Sequence, residues 1–502
     1  MSKRIVIIGS GLGGLTCGVI LAKNGYDVTV LEQARQIGGC LQCFYRNKVK
    51  FETGMHFIGS ADPGQTLYRM LRYLDIDKDI QLGRLDTSGY DIISLAGERF
   101  RFANGREAFI QQMTSYFPKE HDNIVKYFDL IQKVSGASSL HTLDYAETDM
   151  VINTEYQRRS INEVLDSLFS DPLIKKVLVG NLPLYAAEKD KTPFAQHAFI
   201  MDFYNQSAFR VVGGSDIIAK SLAANIRRYG GQVQVNRKVT SILCDDVKAT
   251  GVEVECDEFI PADIVISDVH PARTLEMLDT KIIRSAYRER IKAIPNTVST
   301  FSLFLHFKEG AMPYMNSNFY GYSGDSPWGC ENYDLSSWPK GYLYMHFCHK
   351  ANPQYAESGI ILSYMKMADT DKWIGTKVGR RGEDYELFKK IKAERLLDAV
   401  EKDFPGIRDC ISSYKTASPL TYLDYTGTQE GSMYGVVKDI NQGPAYRVSH
   451  KTKVPNLLLT GQNVNSHGML GVLVGTVVTC SEILTAERVY KQIIQSGIDA
   501  LI

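Results

Sequence analysis

Neither charge sign is in excess in this chain of 502 residues: 57 lysines and arginines balance 57 aspartates and glutamates. A protein that holds nucleic acid through phosphate contacts carries a basic surplus, so that class is set aside. Cysteine is scarce. Nine residues scattered along the chain do not make a disulfide framework, and a reducing, cytoplasmic setting is expected. No apolar run approaches the roughly 18 residues that cross a bilayer. The first apolar run, Ile5–Ile8, meets glycine at once and is too short for the core of a secretory signal. Internal repeats and low-complexity segments are also missing. What remains is ordinary globular composition, 44% apolar and 23% charged, long enough for two or three domains. A small neutral or apolar substrate fits the zero net charge. Contact with a membrane surface is left open.

Ile5–Ile8 reads as a strand buried on both faces, Leu12–Asn24 as a helix closed by Gly25, and Asp27–Leu31 as a second buried strand. Strand, helix and strand fit within about 30 residues, the length of a βαβ unit. Further helices are predicted at 65–74, 104–117 (with Asn104 as N-cap), 119–135 and 160–180, the last broken near Asp171-Pro172. Gly213-Gly214-Ser215 opens another that runs to Tyr229, and strands follow at 232–243, 249–255 and 258–266. Aromatics then concentrate, with thirteen between 301 and 350. Residues 383–404 read as a long solvent-facing helix. A strand at 456–460, a glycine-punctuated loop at 461–471 and a helix at about 472–494 close the chain. The expected architecture is α/β. Residues 1–75, 206–295 and 440–502 form one discontinuous Rossmann-like domain, and 76–205 with 296–439 form an inserted α+β substrate domain.

Gly9-Ser10-Gly11-Leu12-Gly13-Gly14 is a G-x-G-x-x-G run set between the first strand and its helix. Gly9 permits the tight turn, Gly11 lets backbone N–H groups approach a diphosphate, and Gly14 lets helix and strand pack closely. Glu32 ends the second strand, placed to accept hydrogen bonds from an adenosine ribose. Such a motif serves FAD and NAD(P) alike. The second glycine pair, Gly38-Gly39, shortly after Glu32 and Gln33, suits an extended FAD. No second fingerprint for NAD(P)H is found.

In these features the chain resembles the FAD-dependent amine-oxidase-like superfamily, which shares the glutathione-reductase-like FAD fold. Within it the chain is most similar to the group of phytoene desaturases, carotenoid isomerases and all-trans-retinol 13,14-reductases (retinol saturases). The resemblance spans essentially the whole chain. It rests on Gly9–Gly14 with Glu32, Gly38-Gly39, the block Phe51–Gly59, Gly213-Gly214 with its helix, Glu430–Gly435, and Leu457–Gly471. It implies that Gly9, Gly11, Leu12, Gly13 and Gly14 hold the diphosphate, that Glu32 with Gln33 meets the ribose, and that Gly38 and Gly39 line the path to the ribitol. Val239 is implied at the adenine, Gly461, Gln462 and Asn463 at the ribitol and diphosphate, and Gly471-Val472 at the flavin's pyrimidine oxygen. His56 is implied beside the flavin ring, as a hydrogen-bond or proton donor, and Tyr434 is a second proton-donor candidate. One departure stands out: many relatives carry a basic residue where this chain has Cys40.

The resemblance implies an oxidoreductase acting on a carbon–carbon double bond of an apolar polyene or isoprenoid, with saturation favoured. Carotenoid desaturation or isomerisation, a flavin amine oxidase, and a non-catalytic FAD- or isoprenoid-binding protein are the alternatives. Electrons are expected from transient NAD(P)H or from a redox partner protein. Cys40-Leu41-Gln42-Cys43 reads as ordinary thiols before a redox dithiol, and His346-Phe347-Cys348-His349 as structural before metal-ligating. No metal site is expected. The aromatics from Phe301 to Phe347 suit either a sheet core or an apolar tunnel. Membrane contact, if made, is assigned to helices at 104–135 or 160–180.

Overall fold

The computed structural model describes residues 2–144, 149–349, 352–442 and 447–498. β1 (Arg4–Ile8) is apolar at four consecutive positions because both of its faces are covered. Ile5 and Ile7 join a core with α1 (Leu12–Lys23), whereas Val6 and Ile8 pack with the antiparallel strands Val239–Cys244 and Ala249–Val254. β2 (Asp27–Leu31), β3 (Gln232–Gln234), β4 (Ile264–Ser267) and β5 (Leu457–Leu459) complete the sheet. Its order is β3-β2-β1-β4-β5 and every pair is parallel, the doubly wound arrangement of a Rossmann-like fold. α1 packs against the helix Asp216–Arg228 and against α2 (Gly468–Leu484).

A second sheet has seven strands. In spatial order they are Ile411–Ala417, Ser299–Phe307, Asn352–Met365, Gly341–His349, Asn318–Tyr322, Asp91–Leu95 and Glu98–Phe102. Neighbours are antiparallel except for the pair formed by Asn318–Tyr322 and Asp91–Leu95. Alternation along Ser299–Phe307 sends Phe304 into a core shared with the helices Arg106–Tyr116, His121–Gly136, Ile161–Leu168 and Phe194–Gln206. Phe301, Leu303, Leu305 and Phe307 go to the other face, against Ala393, Leu396 and Val400 of the helix Glu383–Asp403. That helix is therefore amphipathic, with a buried stripe, and not solvent-facing all round.

Several boundaries differ from the sequence reading, each for a local reason. The run 232–243 splits after β3 because Asn236 takes a left-handed conformation (φ 53°). The run 258–266 is the hairpin strand Glu258–Pro261 followed by β4. Between them the Asp263 carboxylate takes the Arg4 backbone N–H and guanidinium. Asn104 does not cap its helix. Gly105 holds that place, and the Asn104 amide donates to the Tyr204 and Asn205 carbonyls. α2 begins at Gly468, inside the expected loop, because Met469 and Leu470 are already buried on its apolar face. It ends before Thr485 (φ 76°), and a separate helix covers Ala486–Ile498.

Candidate active site

β1 and β4 lie side by side at the centre of the parallel sheet, and the cleft opens at their carboxyl ends, where the strand order reverses. The turn from β1 into α1 is held by Gly9, at φ +96°, whose N–H donates to the Leu31 carbonyl at 2.8 Å. Gly38 donates to the Ser10 carbonyl at 2.9 Å, so the second glycine pair lies directly on the first loop. The Glu32 carboxylate accepts from the Ser10 N–H (3.0 Å), the Ser10 hydroxyl (2.6 Å) and the Ala34 N–H (2.8 Å). It thereby ties the end of β2 to the glycine turn.

The glycines are dictated by a residue the sequence reading passed over. Asp268, just beyond β4, is half-buried and accepts backbone hydrogen bonds from Gly14 and Gly11. A Cβ on Gly11 would stand 2.5 Å from Asp268 Oδ2, and one on Gly13 would stand 2.9 Å from the Gly461 Cα. Burial pushes the Asp268 carboxyl up to about 7, against the pull of those two N–H groups. α1 carries no acidic residue in its first turn, so its free N–H groups and dipole converge on an anion, and the molecule's own carboxylate already exploits them. This cradle, closed to any side chain larger than hydrogen and lined by N–H donors, fits the diphosphate of FAD. A signal existed in the sequence: an acid at the carboxyl end of a parallel strand lies where such sheets bind ligands.

A cavity of about 830 Å³ starts at this cradle and continues beneath the seven-stranded sheet. Gly9, Gly11, Leu12, Gly13, Glu32, Gln33, Gly38, Gly39, His56, Val239, Tyr434, Gly461, Gln462, Asn463 and Val472 all line it. Two expected residues do not. Gly14 packs beneath the loop, where a Cβ would strike the Gly9 carbonyl. Gly471 turns to the opposite side of α2, against Ser466. Because α2 starts at Gly468, it is Gly468 and Met469 that present its amino-terminal end to the cavity. In the place implied for a base, Cys40 lines the cavity as a half-buried thiol that desolvation pushes up to about 11. The cations on the cavity wall come instead from Arg237, Lys238 and Arg273.

Cys43 is likewise pushed up to about 11 by burial, so neither cysteine of the C-x-x-C pair is a thiolate near neutrality. His346 accepts from the Met315 N–H at 3.1 Å, and no metal-binding cluster occurs among the described residues. The His349 side chain lies outside those described.

His56 is 7% exposed and lines the cavity. Its Nδ1 lies 3.5 Å from Glu52 Oε2, and neither atom has another hydrogen-bond partner among the described residues. Glu52 Oε1 accepts the Ser215 N–H at 3.0 Å, which anchors the pair to the Gly213-Gly214-Ser215 turn. Tyr434 is placed differently. Its hydroxyl donates to the Pro183 carbonyl at 3.0 Å, and burial raises it well above the ordinary tyrosine range, so its proton is held. Most of the aromatic run 301–347 is sheet core. Of those residues Tyr322 and Tyr342 reach the cavity, where Tyr204, Tyr364 and Tyr422 join them from outside the run.

The family model for flavin containing amine oxidoreductase matches residues 12–478. The all-trans-retinol 13,14-reductases of Rattus norvegicus and Homo sapiens are each 29% identical to this chain, over 97% of it and 86% of theirs. A 4,4'-diapolycopene oxygenase of Methylomonas sp is 25% identical over 93% of this chain and 95% of its own. A putrescine oxidase structure with bound putrescine superposes with a TM-score of 0.64 at 14% identity, covering 99% of both chains. An oxidoreductase of Methanosarcina mazei superposes with a TM-score of 0.63 at 16% identity, covering 95% and 100%. With the parallel sheet, the glycine cradle and this match over most of its length, the chain belongs to the flavin-containing amine oxidoreductase family and is an FAD-dependent oxidoreductase.

Proposed function

We propose that this chain reduces a carbon–carbon double bond of an apolar polyene of the retinoid or carotenoid class. The observation that carries this reading is the chemistry of the cavity wall. Beyond the glycine cradle it is built from Leu184, Leu343, Leu362, Met433 and tyrosines, with the His56 imidazole among them. Among the described residues the acids on the wall are Glu32, Asp268 and Glu276, all on the nucleotide-binding segments, so these residues offer an ammonium substrate no carboxylate in the substrate chamber. The retinol reductases among the relatives favour the same substrate class.

In this reading, Gly9, Gly11 and Gly13 with the start of α1 hold the diphosphate, and Glu32 and Gln33 meet the ribose. Val239 lies at the adenine, and Gly461, Gln462 and Asn463 along the ribitol. Gly468 and Met469 direct the amino-terminal end of α2 at the flavin pyrimidine, favouring negative charge there. Reduced FAD, when bound, supplies a hydride. His56 then delivers the matching proton from Nε2, with Nδ1–H turned toward Glu52. The apolar wall excludes water from the reacting carbons. Mass spectrometry of lipid that copurifies with the yellow protein tests the substrate class: a polyene or isoprenoid supports it. Peroxide release from amines, with no change in retinol or carotenoids, overturns it in favour of an amine oxidase.

Electrons have two expected sources, transient NAD(P)H or a redox protein. Anaerobic mixing with NADPH is expected to bleach the flavin band. Absence of bleaching with both NADPH and NADH assigns the role to a protein donor.

For peripheral membrane contact, the helices Arg106–Tyr116, His121–Gly136, Ile161–Leu168 and Pro172–Leu178 bury most of their apolar residues in the core, and Met150 and Val151, exposed between them, stand beside the acid Asp149. Ile374 and Val378 are instead more than half exposed, next to Lys372, Lys377 and Arg380 in the sequence. Ile374 also lines a side chamber of about 680 Å³ that shares Tyr364 and Leu423 with the main cavity. We therefore place the contact there, where basic and apolar groups together suit an anionic lipid surface. Cosedimentation with phosphatidylserine vesicles is expected, and the double variant Ile374→Asp/Val378→Asp is expected to remain in the supernatant.

A further inference from the structure

A third cavity, of about 420 Å³, lies behind the flavin chamber and shares Leu184, Tyr204, Gly468 and Met469 with it as a common wall. Much of its lining is apolar, with Phe199 and Ile200 from the helix Phe194–Gln206 and Val474 and Val478 from α2. Its polar end is cationic. Lys438 donates to the Asn463 carbonyl at 3.4 Å and has no carboxylate partner among the described residues. Burial draws its ammonium down to about 8, and Arg447 on the same cavity adds to the effect. Arg447 is itself paired, among the described residues, only with the neutral Gln157 amide oxygen at 3.4 Å. His467, at the same end, is held neutral by burial and by Lys438. The 17-residue helix α2 begins here with no acid in its first turn.

The half-buried Lys438, with the exposed Arg447 at the rim and no ion pair to the Asp439 carboxylate that also lines the cavity, leaves a cationic end beside an apolar slot. A half-buried ammonium lacking an ion-pair partner costs free energy that a bound anion recovers. A small inorganic anion would leave the apolar walls unused, and a neutral lipid would leave the cations unpaired. We propose that this cavity binds an apolar monocarboxylate of the fatty-acid type. Its carboxylate meets Lys438 and Arg447, and its chain lies along Phe199, Ile200 and Val474. The bound molecule sits against the wall shared with the flavin chamber, but the site is separate from the one that reduces the polyene.

Calorimetric titration of the FAD-loaded protein with decanoate and with decan-1-ol tests this. One decanoate per chain is expected, bound at least about tenfold tighter than the alcohol. Lys438→Met is expected to weaken decanoate by about tenfold or more and to leave the alcohol unchanged. Ile200→Trp, which fills the slot, is expected to abolish decanoate binding, whereas Leu362→Trp, which narrows only the flavin chamber, is expected to retain it. Equal affinity for acid and alcohol overturns the proposal. So does undiminished decanoate binding in Lys438→Met, or loss in Leu362→Trp with retention in Ile200→Trp. Because Lys438→Met removes a charge without adding bulk, the test does not depend on the tryptophan variants folding.

Discussion

Gly13→Ala is expected to yield protein without copurifying FAD. The added methyl would fall against the Asp268 carboxylate and within 2.9 Å of the Gly461 Cα. Both are fixed by the parallel sheet, Asp268 through its N–H bond to the Ile8 carbonyl and Gly461 as the residue that leaves β5 by way of Thr460. The loop must move away from the diphosphate to relieve the clash. An affinity loss of about a hundredfold or more is expected, roughly 3 kcal/mol, read as the flavin-to-protein absorbance ratio and by titration with free FAD. The same cradle makes binding pH-dependent. The Asp268 carboxyl sits at about 7, raised first of all by burial. Below that pH it is neutral and tolerates a diphosphate beside it. As pH rises through about 7 it ionises, competes for the Gly11 and Gly14 N–H groups and repels the phosphates. FAD affinity is therefore expected to fall as pH rises from 6 to 8, and Asp268→Asn to flatten that dependence. Folding follows the same sign. The folded value lies above the unfolded one, so the stability that a neutral Asp268 contributes is full below about 4 and is lost as pH rises through about 7. A flat FAD-binding profile in the unmodified protein would remove Asp268 from this role.

His56→Ala is expected to lower turnover of a polyene by about 10²–10⁴-fold, the range associated with loss of a positioned proton donor, with FAD content and melting temperature near those of the parent. Glu52→Gln separates charge from architecture. The glutamine oxygen still accepts the Ser215 N–H that holds the helix Asp216–Arg228, while the carboxylate 3.5 Å from His56 Nδ1 is lost. Its effect is expected in kcat, by roughly tenfold, with KM little changed, because the carboxylate orients the imidazole ring and does not touch substrate. Glu52→Ala additionally removes the acceptor for Ser215 and is expected to lower the melting temperature. Full turnover in His56→Ala would pass the proton to solvent. Tyr434→Phe is expected to be mild, since the Tyr434 proton is already given to the Pro183 carbonyl.

The nucleotide half of the site was legible in the sequence because its chemistry is local. The tight turn at Gly9, the helix start at Gly11 and the acid at Glu32 follow one another within a single βαβ unit. Backbone geometry alone then decides which residues are tolerated. The apolar continuity of Ile5–Ile8 likewise announced a strand covered on both faces. The boundaries read less well depended on distant partners. Asn104 looks like an N-cap but spends its amide on Tyr204 and Asn205, about a hundred residues away. Gly471 looks like a cofactor glycine but lies on the far side of α2, because Met469 and Leu470 extend the helix to Gly468.

By itself the sequence determined the α/β class, the FAD cradle, the zero net charge and the scarcity of cysteine. Each is a property of composition or of residues adjacent in the chain. Only the tertiary structure decided which carboxylate fills the cradle, which imidazole faces the cavity beside a carboxylate, and which aromatics line the chamber. Asp268 comes within hydrogen-bonding reach of Gly11 because β4 pairs with β1 across more than 250 residues. Glu52 meets His56 because their shared segment is folded against Ser215. Tyr364 lines the cavity while Phe301 does not, because strand register sends alternate side chains to opposite faces of the sheet, and Tyr422 joins it from the helix Pro419–Thr426. These pairings depend on long-range register, which a run of residues read in order does not contain.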